Sequence, residues 1–396
     1  MWTVYIVALV QMVGVALSPA IEQMKTVVFS QYSLSAIQTA LSLPGLIIPT
    51  VGLITAELMR RALVTKKAVV VAGLFTLGAA GLLSLVMHDR FWHVIFLCAL
   101  MGVSAGCYLS TVLSIMMDRF TPDERRTVAG HQAVFVNMGG FLVGLAGGAL
   151  ASWKWYGGFL VALVGIPIGV MSLMTLPKEN RKSRAAENKG KLRTHLGSEV
   201  FFLAAILTVF MMLFVVCNGN IAVHLTLAGF ENTTLIGLVA AAQMAGGAAL
   251  GLFFVRISSA LKYALPAAAF FMLFISYTVL NVFHGSLVLQ FIGVFFLGMS
   301  LSLIGPYCVI AVSHFVDTST SAFATSLITG FAPGIGGFLS PVIITNLTRA
   351  LAGDSTNYRY QFVAFLALGC GVAMAVITYV RRRKREKDAP DASAEA

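Results

Sequence analysis

Residues 177–199 read PKENRKSRAAENKGKLRTHLGSE, with seven Lys or Arg against three Glu. It is the only long polar passage before the C-terminal tail, and on each side lies a block of similar size that is almost wholly apolar. A passage this charged is a solvated loop, whereas its flanks need an apolar solvent. The chain of 396 residues is 58% hydrophobic and only 11% charged, while soluble domains are about one quarter charged. A bilayer accommodates such a chain, at about 20 apolar residues for each helical span.

Outward from the loop, the charge-free runs are 1–21, 26–56, 68–88, 91–117, 127–153 and 155–177 on one side. On the other they are 200–230, 232–255, 263–316, 318–348 and 360–380. The run 263–316 is too long for one span and breaks at the turn-rich Asn281-Val-Phe-His-Gly-Ser286. The sequence therefore predicts an all-α membrane protein of twelve transmembrane helices, six on each side of the loop. Its parts are a bundle over 1–176, a basic linker over 177–199, a bundle over 200–380 and a basic tail over 381–396. With both termini cytoplasmic, 22 Lys and Arg fall inside and five outside (Lys25, Arg90, Lys154, Arg349 and Arg359), in line with the positive-inside rule. The expected location is a cell membrane, inner or plasma, crossed many times.

The net charge of +11 is explained by this topology rather than by nucleic acid, because the basic residues flank apolar runs. Cys98, Cys107, Cys217, Cys308 and Cys370 all fall in apolar runs without metal-ligand spacing. No Walker, H-E-x-x-H or paired-cysteine motif occurs, so the reading calls for no enzyme activity and no cofactor. Gly102-Val-Ser-Ala-Gly106 matches a hydrolase pattern, but that pattern needs a strand–turn–helix setting. Inside an apolar run it reads as a helix-packing face.

The halves repeat. Met138-Gly-Gly-Phe-Leu-Val-Gly144 matches Ile335-Gly-Gly-Phe-Leu-Ser-Pro341, with Gly139 and Gly336 197 positions apart. Gly52 and Gly251 are 199 apart, and Gly102 and Gly298 are 196 apart. A parallel six-plus-six duplication places a substrate site between the halves at mid-membrane.

Twelve spans, a basic central loop and this repeat resemble the major facilitator superfamily over essentially the whole chain. Gly140, Gly144 and Gly148 fit the family's glycine-rich fifth-span motif, while Leu145 and Ala149 depart from it. Trp153-Lys-Trp155 with Phe159 resembles the motif after that span, and Ser18-Pro19-Ala20-Ile21 resembles the first-span end of the efflux branch. The resemblance implies a secondary or facilitative transporter of a small organic solute that rocks between two open states, with export favoured. Proton coupling is the expected drive if there is one, and a monomer in lipid is the expected form. Uptake or exchange of a metabolite, and a transporter-like sensor, are the alternatives. The family's ion-paired gate loop implies roles for Glu57, Arg60 and Arg61, with Asp118 as their acid. Cys98 stands where proton-coupled drug exporters carry an arginine.

The middles of the spans hold no Asp, Glu, Lys or Arg, so neutral polar groups must supply specificity. The candidates are Gln11, Asn137, Asn218, Asn220, Gln243, Gln290 and Tyr307, with Gln38, His131 and Gln132 beside them. By resemblance, the first, fourth, seventh and tenth spans line the cavity, which favours Gln11, Asn218, Asn220 and Tyr307. Glu22 and His224 sit at corresponding helix ends, which in the family approach each other when the outside closes. A Glu22–His224 contact is therefore expected to latch that gate.

Overall fold

A computed structural model describes residues 2–61, 63–119, 122–176, 197–313 and 327–388. The linker lies outside the described residues up to position 196, as does the tail from 389. In lipid the backbone can satisfy its polar groups only within itself, so apolar runs become helices. Among the described residues there are twelve helices of spanning length, the number expected. The first six are α1 (Thr3–Val28), α2 (Leu34–Met59), α3 (Lys66–Leu83), α4 (Phe91–Leu109), α5 (Val134–Trp153) and α6 (Gly157–Thr175). The second six are α7 (Ser198–Leu227), α8 (Thr233–Phe254), α9 (Arg256–Val282), α10 (Leu287–Val312), α11 (Ala332–Ala352) and α12 (Thr356–Arg381). The turn-rich cluster at 281–286 does separate two spans, α9 and α10. No strand occurs among the described residues.

Local chemistry fixes where the helices start and stop. Ser33 Oγ accepts the Ala36 N–H at 3.1 Å ahead of α2, and Thr65 Oγ accepts that of Ala68 at 3.2 Å ahead of α3. Asn232 Oδ1 accepts from Thr234 and Leu235 at 3.0 and 3.2 Å, so Asn232 caps α8. Gly229 (φ 91°) and Gly353 (φ 66°) close α7 and α11 in the left-handed conformation that glycine tolerates best.

Each six-helix bundle buries its own apolar core. One runs from Val4 to Leu176 and the other from Val200 to Met374. The sequence repeat reappears as packing. A Cβ on Gly139 (α5) would overlap the Leu9 carbonyl of α1, and one on Gly336 (α11) would overlap the Thr208 carbonyl of α7. Gly102 (α4) abuts Pro44 and Ile47 of α2, as Gly298 (α10) abuts Gln243 and Gly247 of α8. The third match is not a packing match: Gly52 is buried, whereas Gly251 faces open space. Gly106 meets Ile48 and Val51, so the G-x-S-x-G stretch is indeed a face of α4 against α2.

The corresponding helices α1 and α7 each meet a buried tyrosine hydroxyl near mid-span, and α1 is irregular there. In α1 the amides of Leu9, Val10 and Gln11 bond three residues back, to Ile6, Val7 and Ala8. The buried Tyr108 hydroxyl of α4 donates to the Val10 carbonyl at 3.0 Å. In α7 the buried Tyr277 hydroxyl of α9 donates to the Leu213 carbonyl at 2.6 Å and accepts the Cys217 N–H at 2.9 Å. It thus lies between two groups that an α-helix pairs directly. An inserted side chain of this kind is one of the recognised causes of a helix bend.

Aromatic rings tie together one end of the first bundle. Phe29 is 1% exposed and meets Phe91 at 5.7 Å and Trp155 at 5.3 Å, while Tyr32 stacks on Phe91 at 4.2 Å. Removing the central ring leaves a cavity that these rigid neighbours cannot fill. Phe29→Ala is expected to destabilise the protein by about 3 kcal/mol, read as a lowered melting temperature of the purified chain.

Candidate functional site

The bundles touch along two helix pairs related by the repeat. In α5 and α8, Gly148 faces Gly237 and Gly144 faces Ala241. In α2 and α11, Gly45 faces Gly334, backbone against backbone. Small residues allow this close approach, which larger side chains would prevent.

Toward the end where α1 and α7 finish, six hydrogen bonds cross from one bundle to the other. Ser18 Oγ donates to the Asn218 carbonyl at 2.5 Å, Gln23 Nε2 to Thr233 Oγ1 at 3.2 Å, and Ser35 Oγ to the Pro341 carbonyl at 3.3 Å. The other three belong to Gln38. Its Nε2 donates to the Gly219 carbonyl at 2.5 Å and to Asn220 Oδ1 at 3.0 Å, and its Oε1 accepts from Thr345 Oγ1 at 2.8 Å. Gln38 is 4% exposed, so an amide of the first bundle is seated wholly in groups of the second. A buried amide left unmatched costs about 1–3 kcal/mol, so this seat specifies how the bundles meet. Ile21 and Leu34 pack against Val223 beside it and exclude water.

Behind Asn220 stands Arg359, with 0% of its surface exposed. Its Nη1 donates to Asn220 Oδ1 at 2.6 Å and its Nε to Thr348 Oγ1 at 3.0 Å. The Asp354 carboxylate is 4.0 Å from Nη2. A polar chain therefore runs Arg359–Asn220–Gln38–Thr345 across the junction.

The structure assembles some of the expected residues here and scatters others. Asn220 is central, 1% exposed, with its Nδ2 bonded to the Val216 carbonyl at 2.7 Å. Asn218 takes part through its carbonyl, and its side chain is half-buried. Gln11 and Tyr307 are half-buried, the latter beside Pro306 in α10. Asn137 (α5) lies against Gly247 of α8. Gln243 is buried with its carbonyl against Gly298. Gln290 faces no interface: it is wholly buried, and its Nε2 donates to the Leu280 and Phe283 carbonyls at 3.0 and 3.2 Å, closing the end of α9. His131 is exposed, with Nδ1 3.3 Å from the Tyr5 hydroxyl, and Gln132 is half-buried.

The expected Glu22–His224 contact is not formed. His224 is buried inside the second bundle, with Nδ1 3.1 Å from Thr356 Oγ1 and Nε2 3.1 Å from the Leu280 carbonyl, so both ring nitrogens are engaged there. Glu22 is half-buried at the junction, and its Oε2 has no hydrogen-bond partner. In the gate loop Arg61 pairs with Glu57 one turn earlier at 2.7 Å, with both side chains well exposed. An exposed pair of this type contributes little, about 0.3–0.5 kcal/mol. The side chains of Arg60 and Asp118 lie outside the described residues.

The sequence reading missed Arg359, which it counted among loop charges. The available signal was position: Arg359 lies inside the first turn of α12, and burial there required the fold to bring Thr348 and Asn220 to it.

The Major Facilitator Superfamily family model matches residues 2–341. No curated protein matches the chain in sequence. Among solved structures, a mutant of the peptide transporter POT in complex with sulfate is similar, with a TM-score of 0.74 at 15% identity over 95% of this chain and 93% of that one. A mutant of the nucleoside transporter NupG is similar with a TM-score of 0.71 at 12% identity over 96% and 98%. A POT family transporter in complex with 5-aminolevulinic acid is similar with a TM-score of 0.72 at 10% identity over 95% of each chain.

Proposed function

We propose, from the premise that this chain belongs to the Major Facilitator Superfamily, that it exports a small, largely apolar organic solute by rocking its two bundles about their shared interface. One observation carries the reading: each bundle has its own core, and at one end the two are held by six separable hydrogen bonds. Such bonds are worth about 1 kcal/mol each, so the end can open without disturbing either core. The excess of Lys and Arg on the opposite face supports an orientation with this closed end outside. On that reading the state described is closed to the outside, in a monomer in the cell membrane.

The solved relatives are named for peptides and nucleosides, but at 10%, 12% and 15% identity they share the fold alone, so the solute is argued from this chain's residues. Met12, Val15, Met211, Met212 and Val215, all half-buried on α1 and α7, offer apolar surface, with Gln11 and the Asn218 side chain as polar fixing points. Methionine surfaces adapt to varied ligands. Glu22, a half-buried acid without a partner for Oε2, is the group proposed to exchange a proton with the outside.

The test is flux in proteoliposomes, with neutral, cationic and anionic solutes and with or without a pH gradient. Movement of an apolar solute against its gradient, driven by protons and abolished by Glu22→Gln, is the expected result. If no solute class moves faster than in protein-free liposomes, the transport reading fails. If transport is indifferent to the gradient, proton coupling alone fails.

A further inference from the structure

Arg359 is the one guanidinium that the described residues bury completely. Hiding such an ion from water is costly unless its donors are matched. Nε and Nη1 meet neutral oxygens, of Thr348 and Asn220. Nη2 has no hydrogen-bond partner, and its carboxylate neighbour, Asp354, is 4.0 Å away and 42% exposed. The shortest of these bonds, 2.6 Å, goes to the oxygen that also receives Gln38 from the other bundle.

That geometry settles an ambiguity in the Asn220 amide. An asparagine side chain has a donor end and an acceptor end of nearly equal shape. Gln38 presents Nε2, a donor, to Asn220. Only the oxygen of Asn220 can answer it; the amide turned over would set donor against donor. The Val216 carbonyl, which accepts from Nδ2 at 2.7 Å, favours the same orientation, and a cation that donates to the oxygen makes the turned-over amide more unfavourable still.

We propose that Arg359 is the positioning residue of the closed junction: together with the Val216 carbonyl on Nδ2, it holds the Asn220 amide with its oxygen toward α2, so that Gln38 finds an acceptor and the bundles close. Its purpose rests on the alternating-access reading above, but its geometry does not. Because the influence passes through Asn220 to Gln38, it must vanish when Gln38 cannot form the bond. Interactions within one network are non-additive in this way.

The experiment uses the full chain in liposomes with Ser18→Cys as the probe, and the rate of labelling by a membrane-impermeant maleimide as the readout. Ser18 is 8% exposed and faces Asn218 across the junction, so its labelling reports opening of this end. The chain without the probe supplies the background from its native cysteines. Loss of one or more hydrogen bonds at the seat should raise labelling about fivefold for Arg359→Met and about tenfold for Gln38→Leu. The double variant should label at the Gln38→Leu rate, and Arg359→Lys, which keeps a charged donor, should stay near the native rate.

Arg359→Met raising the rate by the same factor with and without Gln38, or not raising it at all, overturns the proposal. If Arg359→Met does not fold, Thr348→Val replaces it; that variant frees Nε and should raise labelling about twofold, again only while Gln38 is present. A merely structural arginine would lower the melting temperature equally in both backgrounds and leave labelling unchanged. Labelling reads the junction whether or not any solute moves, so failure here is distinct from failure of the flux test.

Discussion

Gly334→Leu is expected to produce a chain that folds and enters the membrane but transports about a hundredfold more slowly. Gly334 of α11 lies against Gly45 of α2 where the bundles cross, and a Cβ on Gly334 would overlap the Gly45 carbonyl oxygen. That obstacle is main chain and has no other rotamer to adopt. The packing of α11 within its own bundle uses a different glycine, Gly336, against the Thr208 carbonyl. The added side chain therefore burdens the closed junction and spares the core. Overpacking of this kind costs about 3 kcal/mol, which lowers the population of the closed state about a hundredfold. The check is flux at about 1% of native from protein whose helical content and elution profile are native, with the Ser18→Cys probe labelling faster. Native flux would mean that α2 and α11 do not need to meet at this point during transport.

Gly298→Val should have the opposite signature: the chain should fail to accumulate as folded protein. Gly298 of α10 lies against Gln243 and Gly247 of α8, and a Cβ there would overlap the Gln243 carbonyl. One turn away, a Cβ on Gly246 of α8 would overlap the Phe295 carbonyl. The two helices are thus in main-chain contact inside one bundle, and a branched side chain must part them along the buried core. The expected loss is about 3 kcal/mol or more, read as disappearance of the monodisperse peak in detergent. The control is Gly369→Ala in α12, where a Cβ meets open space; it should match or slightly exceed native stability, since helical glycine costs about 0.5–1 kcal/mol relative to alanine. Both damaging changes add bulk to a glycine whose Cβ would strike a carbonyl. They differ only in whether the contact lies within a bundle or between bundles.

The spans and the duplication were legible because bilayer thickness and backbone satisfaction act on composition alone. The repeat at Gly139 and Gly336 carried through to equivalent packing, since both positions need the same close approach to a neighbouring carbonyl. Gly52 and Gly251 did not, because a shared glycine in an apolar helix does not say what it touches. The junction was legible only in part. Asn220 stood out as a polar residue in an apolar span, but its partners are distant in sequence. Arg359 was hidden by its place near a span end, where arginine is ordinarily solvated. His224 was read as a gate residue from its position, yet the fold turns its ring inward to Thr356 and Leu280. The Gly219 and Pro341 carbonyls that receive Gln38 and Ser35 leave no trace in residue identity.

That last feature bears on how such a chain can diverge. In the contacts of Ser18 with Asn218, Gln38 with Gly219 and Ser35 with Pro341, the first bundle contributes side chains and the second contributes main-chain oxygens. Every amino acid brings a carbonyl, so these three bonds do not depend on which side chain stands at positions 218, 219 and 341, although a Cβ at 219 must fit against Gln38 at 3.3 Å. Positions 18, 35 and 38 have no such freedom. Under random substitution the two sides of these three contacts should therefore accumulate change at unequal rates, whereas Asn220, Thr233 and Thr345, which meet the first bundle through side chains, should be held as firmly as the donors.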